Sequence, residues 1–339
     1  MPIYREWKRK LAKLAEEQVF PLTIECELTS KCNFTCSMCY AKDNCPQTEW
    51  SLNDWKQLFD EAINCGTLFF VLTGGEPLTH PHFWDIYDYL ASKGSRITIF
   101  TNGSLIDELV IERFKKQAPE LVVISLYGYD EESVYLTTKV KGAFLKINRA
   151  IELLSQAKIP FTVRTLPIKP IYDRLESMIQ YVKSFNQFLG YQLYIAPTKN
   201  DTAPSKLRLT PEDLAEFERK IRVAFPAYGS LDCEVTVVSS GCQAMKTGCY
   251  ITHEGLLRPC ALAQNYDKII RPNLFLESYR LLAKEWRTTN NLIQCDTCEH
   301  RTFCIKCPIR LDLENGKNSC SKYLKALAIA RGGNDCGGL

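Results

Sequence analysis

The chain has 339 residues, of which 45% are hydrophobic and 24% charged, and its formal net charge is +3. This is the composition of a folded globular protein with one large domain, or one large and one small, and it excludes a disordered or fibrous chain. The basic residues are dispersed, which gives no electrostatic case for nucleic acid, and no apolar run approaches the roughly 18 residues of a membrane span.

Residues 1–21 carry Trp7, Leu11, Leu14 and Ala15 at helical spacing with charges between them, so a helix capping the edge of the core is expected rather than a membrane anchor. They hold no continuous apolar stretch of the secretory kind. The sixteen cysteines are therefore expected as reduced thiols in the cytoplasm, which favours metal or redox use over disulfides.

From 22 to 196 short β-branched runs alternate with amphipathic runs of helical length. Strands are predicted at Leu22–Leu28, Leu68–Leu72, Arg96–Phe100, Leu121–Leu126, Phe161–Leu166 and Tyr191–Ala196. Helices are predicted at Leu52–Cys65, Phe83–Ser92, Ile106–Phe114, Phe144–Ala157 and Leu175–Phe188. Repeated β–α units imply a parallel sheet with right-handed crossovers. Six units are too few for an eight-stranded barrel, so the fold class is α/β with an open, partial (β/α)6 TIM-like barrel.

Chemistry in such folds sits at the carboxyl ends of the strands. After the first strand comes Cys32-Asn33-Phe34-Thr35-Cys36-Ser37-Met38-Cys39-Tyr40, three thiolates within eight residues. One loop can bring all three to a single centre, and thiolate selects iron–sulfur clusters, zinc or Cu(I). A cubane cluster normally takes four cysteines, so three leave one iron open. A structural zinc loop completed by Cys45 is the alternative. After the second strand comes Thr73-Gly74-Gly75-Glu76-Pro77, where paired glycines permit close backbone approach and Glu76 offers a carboxylate.

The three-cysteine spacing with its following aromatic, and Gly-Gly-Glu-Pro downstream, resemble the radical SAM superfamily. The resemblance implies that the open iron chelates S-adenosylmethionine and that the glycine motif holds its methionyl amino group. It implies cofactor contacts at Tyr40, Gly74, Gly75 and Glu76, and, more weakly, at Ser125 and Arg164, for the ribose and the carboxylate. Asn102, in Thr101-Asn102-Gly103, reads equally as turn chemistry or as a contact.

Residues 197–232 read as a linker followed by a helix from about Pro211 to Ala224, and 326–339 as a flexible tail containing Cys336. Between them, 233–325 holds a second group: Cys242, Cys249, Cys260, Cys295, Cys298, Cys304, Cys307 and Cys320. The arrangement resembles the SPASM extension of radical SAM enzymes, a cysteine-rich domain with two auxiliary 4Fe–4S clusters. The resemblance gives one cluster Cys242, Cys249, Cys260 and Cys307, and the other Cys295, Cys298, Cys304 and Cys320. Two residues rather than the usual three separate Cys304 from Cys307, which leaves Cys307 the departure from the pattern. Paired Cys-x2-Cys knuckles at 295–298 and 304–307 would also suit a zinc ribbon. Cys26, Cys65 and Cys233 read as small buried hydrophobes, and His80, His82, His253 and His300 as solvent-facing.

What the resemblance implies overall is an enzyme with S-adenosylmethionine and three 4Fe–4S clusters that generates a 5′-deoxyadenosyl radical. The expected substrate is a peptide or protein. The first expectation is oxidative cross-linking in a ribosomally made peptide natural product. Sulfatase-maturase-like oxidation of a protein Ser or Cys, and epimerisation, are the alternatives, with a non-catalytic zinc or iron–sulfur scaffold as the rival of a different class. A flavodoxin- or ferredoxin-type reductant is an expected partner. Many peptide maturases carry a leader-binding domain ahead of the barrel. Here about 21 residues precede the first strand, so the expectation is that a separate leader-binding protein presents the peptide, that the barrel binds it directly, or that the substrate is something else. No general base stands out by spacing.

Overall fold

The computed structural model describes residues 2–39, 48–193, 195, 197, 203–226, 244–271, 273–289, 293–316 and 319–333. Helix α1 (Pro2–Gln18) leads into β1 (Thr23–Glu27). There follow α2 (Leu52–Asn64), β2 (Phe69–Thr73), α3 (Phe83–Ser92), β3 (Arg96–Thr101), α4 (Glu108–Lys116) and β4 (Leu121–Ser125). Next come α5 (Glu131–Thr138), α6 (Ala143–Gln156), β5 (Phe161–Thr165), α7 (Lys169–Tyr172), α8 (Leu175–Ser184) and β6 (Leu189–Tyr191). The remainder holds α9 (Pro211–Ala224), strands β7 (Gly248–Ile251), β8 (Leu256–Arg258) and β9 (Lys268–Ile269), and helices α10 (Phe275–Thr289), α11 (Ile293–Asp296), α12 (Pro308–Asn315) and α13 (Lys322–Gly333).

The sheet runs β6-β5-β4-β3-β2-β1-β7-β8-β9. Strands β1 to β6 are all parallel, as the alternating pattern requires. The sheet does not close into a barrel, since β6 and β9 are its edges. Side chains alternate across it. Ile24, Cys26, Phe70, Leu72, Ile99, Ile124 and Val163 are buried and share one face by register. Against them pack apolar faces such as Trp55, Leu58, Phe59 and Ala62 of α2, whose start is a capping box between Ser51 and Asp54. The other face carries Glu25, Phe100, Ser125 and Arg164. Three strands separate β1 from β5, yet the Arg164 charge acts on Glu25, so the sheet curls until these faces look at one another. A polar lumen results.

Several features depart from the sequence expectations. The sixth strand lies at Leu189–Tyr191 rather than 191–196, because α8 stops at Ser184 and Asn186 takes a left-handed φ of 56° that ends the helix early. The stretch between β4 and α6, expected as a loop, contains α5, started by an Asp130–Ser133 capping box. In the expected tail, residues 326–333 belong to α13, which buries Leu324, Leu327 and Ala328. Cys336 lies outside the described residues. No strand was expected beyond 196, yet β7 pairs in parallel with β1 and carries β8 and β9 with it, so the cysteine-rich part continues the barrel's own sheet.

Candidate active site

The cysteine loop leaves β1 over the carboxyl end of the sheet and is strapped down by the glycine motif. Gly75 N–H donates to Thr29 O at 2.7 Å and Glu76 N–H to Lys31 O at 2.9 Å, immediately before Cys32. A Cβ on Gly74 would lie 2.4 Å from Thr29 O, and one on Gly75 2.2 Å from Lys31 O. The two glycines are needed because only bare backbone can lie this close to the strap.

Glu76 is fully buried, and its carboxylate accepts from Thr101 Oγ1 at 2.8 Å, Asn102 N–H at 2.7 Å and Leu78 N–H at 3.1 Å. Desolvation pushes it up to about 7 against those three donors. Its role here is to tie the β2 and β3 ends together. Asn102 is both turn and contact: its Oδ1 accepts from Ser104 N–H, while its Nδ2 donates to Asn33 Oδ1 at 2.8 Å and stands 4.0 Å from Cys32 Sγ.

Helix α5, which the sequence reading missed, grips the far side of the loop. Ser37 N–H and Thr35 Oγ1 donate to the carbonyls of Thr137 and Thr138. Phe34 and Met38 are buried as anchors, leaving Cys32 exposed and Cys36 and Cys39 half-buried. The three thiols gather about Tyr127. Desolvation raises its phenol, the negative charge of Cys36, Cys39 and Cys32 adds to that, and a hydrogen bond with Ser125 opposes it. Tyr127 was visible in the run after β4, but nothing in its spacing marked it; the curl of the sheet brings it under the thiols. Ser125 and Arg164 are register partners on β4 and β5, and the Arg164 guanidinium lies 5.8 Å from the Phe100 ring centre. Tyr40 lies outside the described residues, as does Cys45.

Sequence reasoning also missed the acidic lumen. Desolvation pushes Glu25 up to about 7, opposed by Arg164 and assisted by Glu27. Glu27 and His253 form a buried pair with Oε2 to Nδ1 at 3.1 Å. Burial works against the imidazolium, but the hydrogen bond and charge of Glu27 prevail and His253 is raised. His253 is thus not solvent-facing, and neither is His80, which burial lowers. His253 sits in the turn between β7 and β8, where Gly255 at φ 80° packs its backbone onto the Trp50 indole.

The second cysteine group divides. Thiols Cys298 and Cys320 both act on Cys295, and all three act on Cys304, so these four converge. Cys320 completes the group, whereas a zinc ribbon would draw on Cys307. Among the described residues, no three Cys, His, Asp or Glu side chains are arranged for a single metal ion. A four-iron cluster, larger than one ion, spreads its thiolates farther apart. The all-thiol donor sets at both places suit an iron–sulfur cluster. Cys249 faces elsewhere: it is buried on β7 beside Cys26 and Tyr279, on the helix-covered side of the sheet, opposite to its neighbour Tyr250. Cys260 and Cys307 are half-buried. Cys242 and Cys233 lie outside the described residues. No described helix is long and apolar enough to cross a membrane.

Comparison with known proteins agrees with this geometry. Residues 26–182 match the Radical SAM superfamily. An AdoMet-dependent heme synthase of Methanosarcina barkeri is 23% identical over 320 residues, 86% of this chain and 92% of the relative. The antilisterial bacteriocin subtilosin biosynthesis protein AlbA of Bacillus subtilis is 25% identical over 330 residues, 91% of this chain and 72% of the relative. Among solved structures, Streptococcus suis SuiB bound to S-adenosylmethionine superposes with a TM-score of 0.72 at 17% identity, covering 93% of this chain and 80% of that one. SuiB bound to its precursor peptide SuiA gives 0.71, also at 17% identity, covering 94% of this chain and 79% of that one. With three thiols over the strand ends, the glycine strap beneath them and this match, the chain is a radical SAM enzyme that uses S-adenosylmethionine.

Proposed function

We propose that the chain is a peptide-modifying maturase that oxidatively cross-links side chains of a ribosomally made peptide. The observation that carries this reading is the presence of two separate thiol groups. One stands over the lumen at Tyr127, and the other, Cys295 with Cys298, Cys304 and Cys320, lies toward the carboxyl terminus, where it can take up the electron that an oxidation releases. AlbA, aligned over 91% of the chain, supports a peptide substrate, as does a lumen lined by Glu25, Glu27 and Arg164, suited to the amide groups of a peptide.

Cys32, Cys36 and Cys39 would hold the cofactor's cluster, with Tyr40, Gly74, Gly75, Glu76, Ser125 and Arg164 around the S-adenosylmethionine. A reduced 4Fe–4S cluster held there would supply one electron for cleavage of the sulfonium–5′-carbon bond of S-adenosylmethionine, releasing methionine and leaving the other fragment able to abstract hydrogen. The protein's part is orientation and exclusion of water. Glu76 holds the β3 loop against Cys32, α5 fixes the loop's outer side, and the buried Glu27–His253 pair ties the β7–β8 turn to the end of β1. The second auxiliary ligand set is proposed as Cys242, Cys249, Cys260 and Cys307, with Cys249 the weakest member because of where β7 turns it. The barrel at 22–196, the connector at 197–232 and the SPASM portion at 233–325 remain the proposed domains. A flavodoxin- or ferredoxin-type reductant and a separate leader-binding protein remain the proposed partners.

The test is anaerobic reconstitution, with iron and zinc per chain measured alongside 5′-deoxyadenosine formation. About twelve irons are expected, with about eight retained and cleavage abolished in a Cys32/Cys36/Cys39→Ala variant. Zinc in place of iron would overturn the reading. A second reading is favoured by the heme synthase, which aligns over 92% of its own length. Titration with an iron porphyrin, followed by visible absorption, separates the two: a saturable shift would move the substrate from peptide to porphyrin.

A further inference from the structure

Arg331 and Glu218 form a buried ion pair that neither the lumen nor the cofactor loop uses. Glu218, on α9, is 6% exposed, and the Arg331 side chain, on α13, is 14% exposed. The guanidinium grips the carboxylate at both ends, Nε to Oε2 at 2.9 Å and Nη2 to Oε1 at 2.6 Å. Its remaining arm, Nη1, donates to the carbonyl of Phe303 at 2.9 Å, the residue before Cys304. The Phe303 ring in turn packs on Gly332, where a Cβ would meet it at 3.2 Å. The pair is therefore oriented, with its positive end against the thiol quartet and its negative end away on α9. The Arg331 charge reaches the Cys304 thiol, and Lys306 is a further cation, acting through Cys295.

Holding a charged pair this far from water is costly unless geometry and hydrogen bonds compensate. As a staple alone, an apolar pair would serve. Iron–sulfur potentials, by contrast, respond to net charge and hydrogen bonding near the sulfurs. We infer that Arg331 is a charge-setting, positioning residue for the cluster at Cys295, Cys298, Cys304 and Cys320, stabilising its reduced form, with Glu218 limiting that effect. This rests on reading the quartet as cluster ligands. The cation favours the state with one more electron, so removing it lowers the reduction potential. Removing the carboxylate leaves the cation uncompensated and raises it.

The experiment is an equilibrium redox titration of the reconstituted full-length protein against mediator dyes, followed by electron paramagnetic resonance. It is run on wild type, Arg331→Gln, Arg331→Lys and Glu218→Gln, with Cys295→Ala marking the quartet's signal. A lower potential in Arg331→Gln, a higher one in Glu218→Gln and recovery toward wild type in Arg331→Lys are expected. A purely structural role would shift or broaden the signal in the same direction in both neutral variants, and that result, or no shift in either, overturns the inference. Full retention of iron by Cys295→Ala would instead show that the quartet holds no cluster and sink the reading beneath it.

Discussion

The loop bearing Cys32, Cys36 and Cys39 is gripped largely through main-chain carbonyls, whereas the elements that carry Cys295, Cys298, Cys304 and Cys320 are tied to the rest by side-chain ion pairs. In the first region Thr29, Lys31, Thr137 and Thr138 offer backbone carbonyls, and glycines permit the contact. In the second, Arg331 on α13 is tied to Glu218 on α9, and Arg208, in the segment before α9, is tied to Glu314 on α12, with the Arg208 guanidinium 3.9 Å from the Tyr323 ring centre. Backbone straps leave little freedom of sequence, which is why the first region carries a compact motif. Ion pairs can be assembled from residues far apart, so the second leaves a scattered pattern in which cysteine spacing is the main visible mark.

The sharpest way to break this contrast is Gly75→Ala. Its Cβ would stand 2.2 Å from Lys31 O, and backbone must move. Overpacking of this kind costs about 1–3 kcal/mol. The reconstituted variant should lose about four irons, those of the first loop alone, together with 5′-deoxyadenosine formation. Retention of both would show that the strap is not what shapes the loop.

Glu76→Ala should come next, since it orphans donors from Thr101 and Asn102 in a buried place. Each lost partner costs about 1–3 kcal/mol, to be read as a fall in the denaturation midpoint; Glu76→Gln, which keeps an acceptor, should fall less.

The Glu27–His253 pair makes stability depend on pH. Its folded pKa lies above the ordinary histidine value of about 6.5. The stabilisation is therefore complete below that value and is lost as pH rises through the higher, folded one. A Tm profile from acidic to alkaline pH should decline over that window in wild type and flatten there in Glu27→Gln. An unchanged decline in the variant would remove the pair as its source.

Tyr127→Phe is the mildest test. Losing the hydrogen bond with Ser125 should cost about 0.5–1.5 kcal/mol, while the absorption or paramagnetic spectrum of the first cluster should change through its ring of thiols. An unaltered spectrum would place Tyr127 outside the site.

Much of this was legible along the chain. The β–α alternation located five of six barrel strands, because parallel strands buried on one face and helices packed over them leave distinct periods. The helix α5 was missed although Asp130 and Ser133 form a capping box, since its short apolar pattern is weak. The buried histidines were misjudged because a lone His carries no periodic signal. Their burial comes from residues distant in sequence: His253 meets Glu27 across 226 positions.

The sequence by itself determined the chemistry available: soft thiolates at fixed spacing, glycines where backbone had to pass, and an alternating pattern that puts both at strand ends. Only the tertiary structure decided which thiols face one another, bringing Cys320 to Cys295 and turning Cys249 toward Cys26. It also decided that β7 would extend the sheet beside β1. The physical reason is that local spacing sets what a loop can hold, whereas strand pairing, face and charge orientation depend on contacts that no short stretch of chain contains.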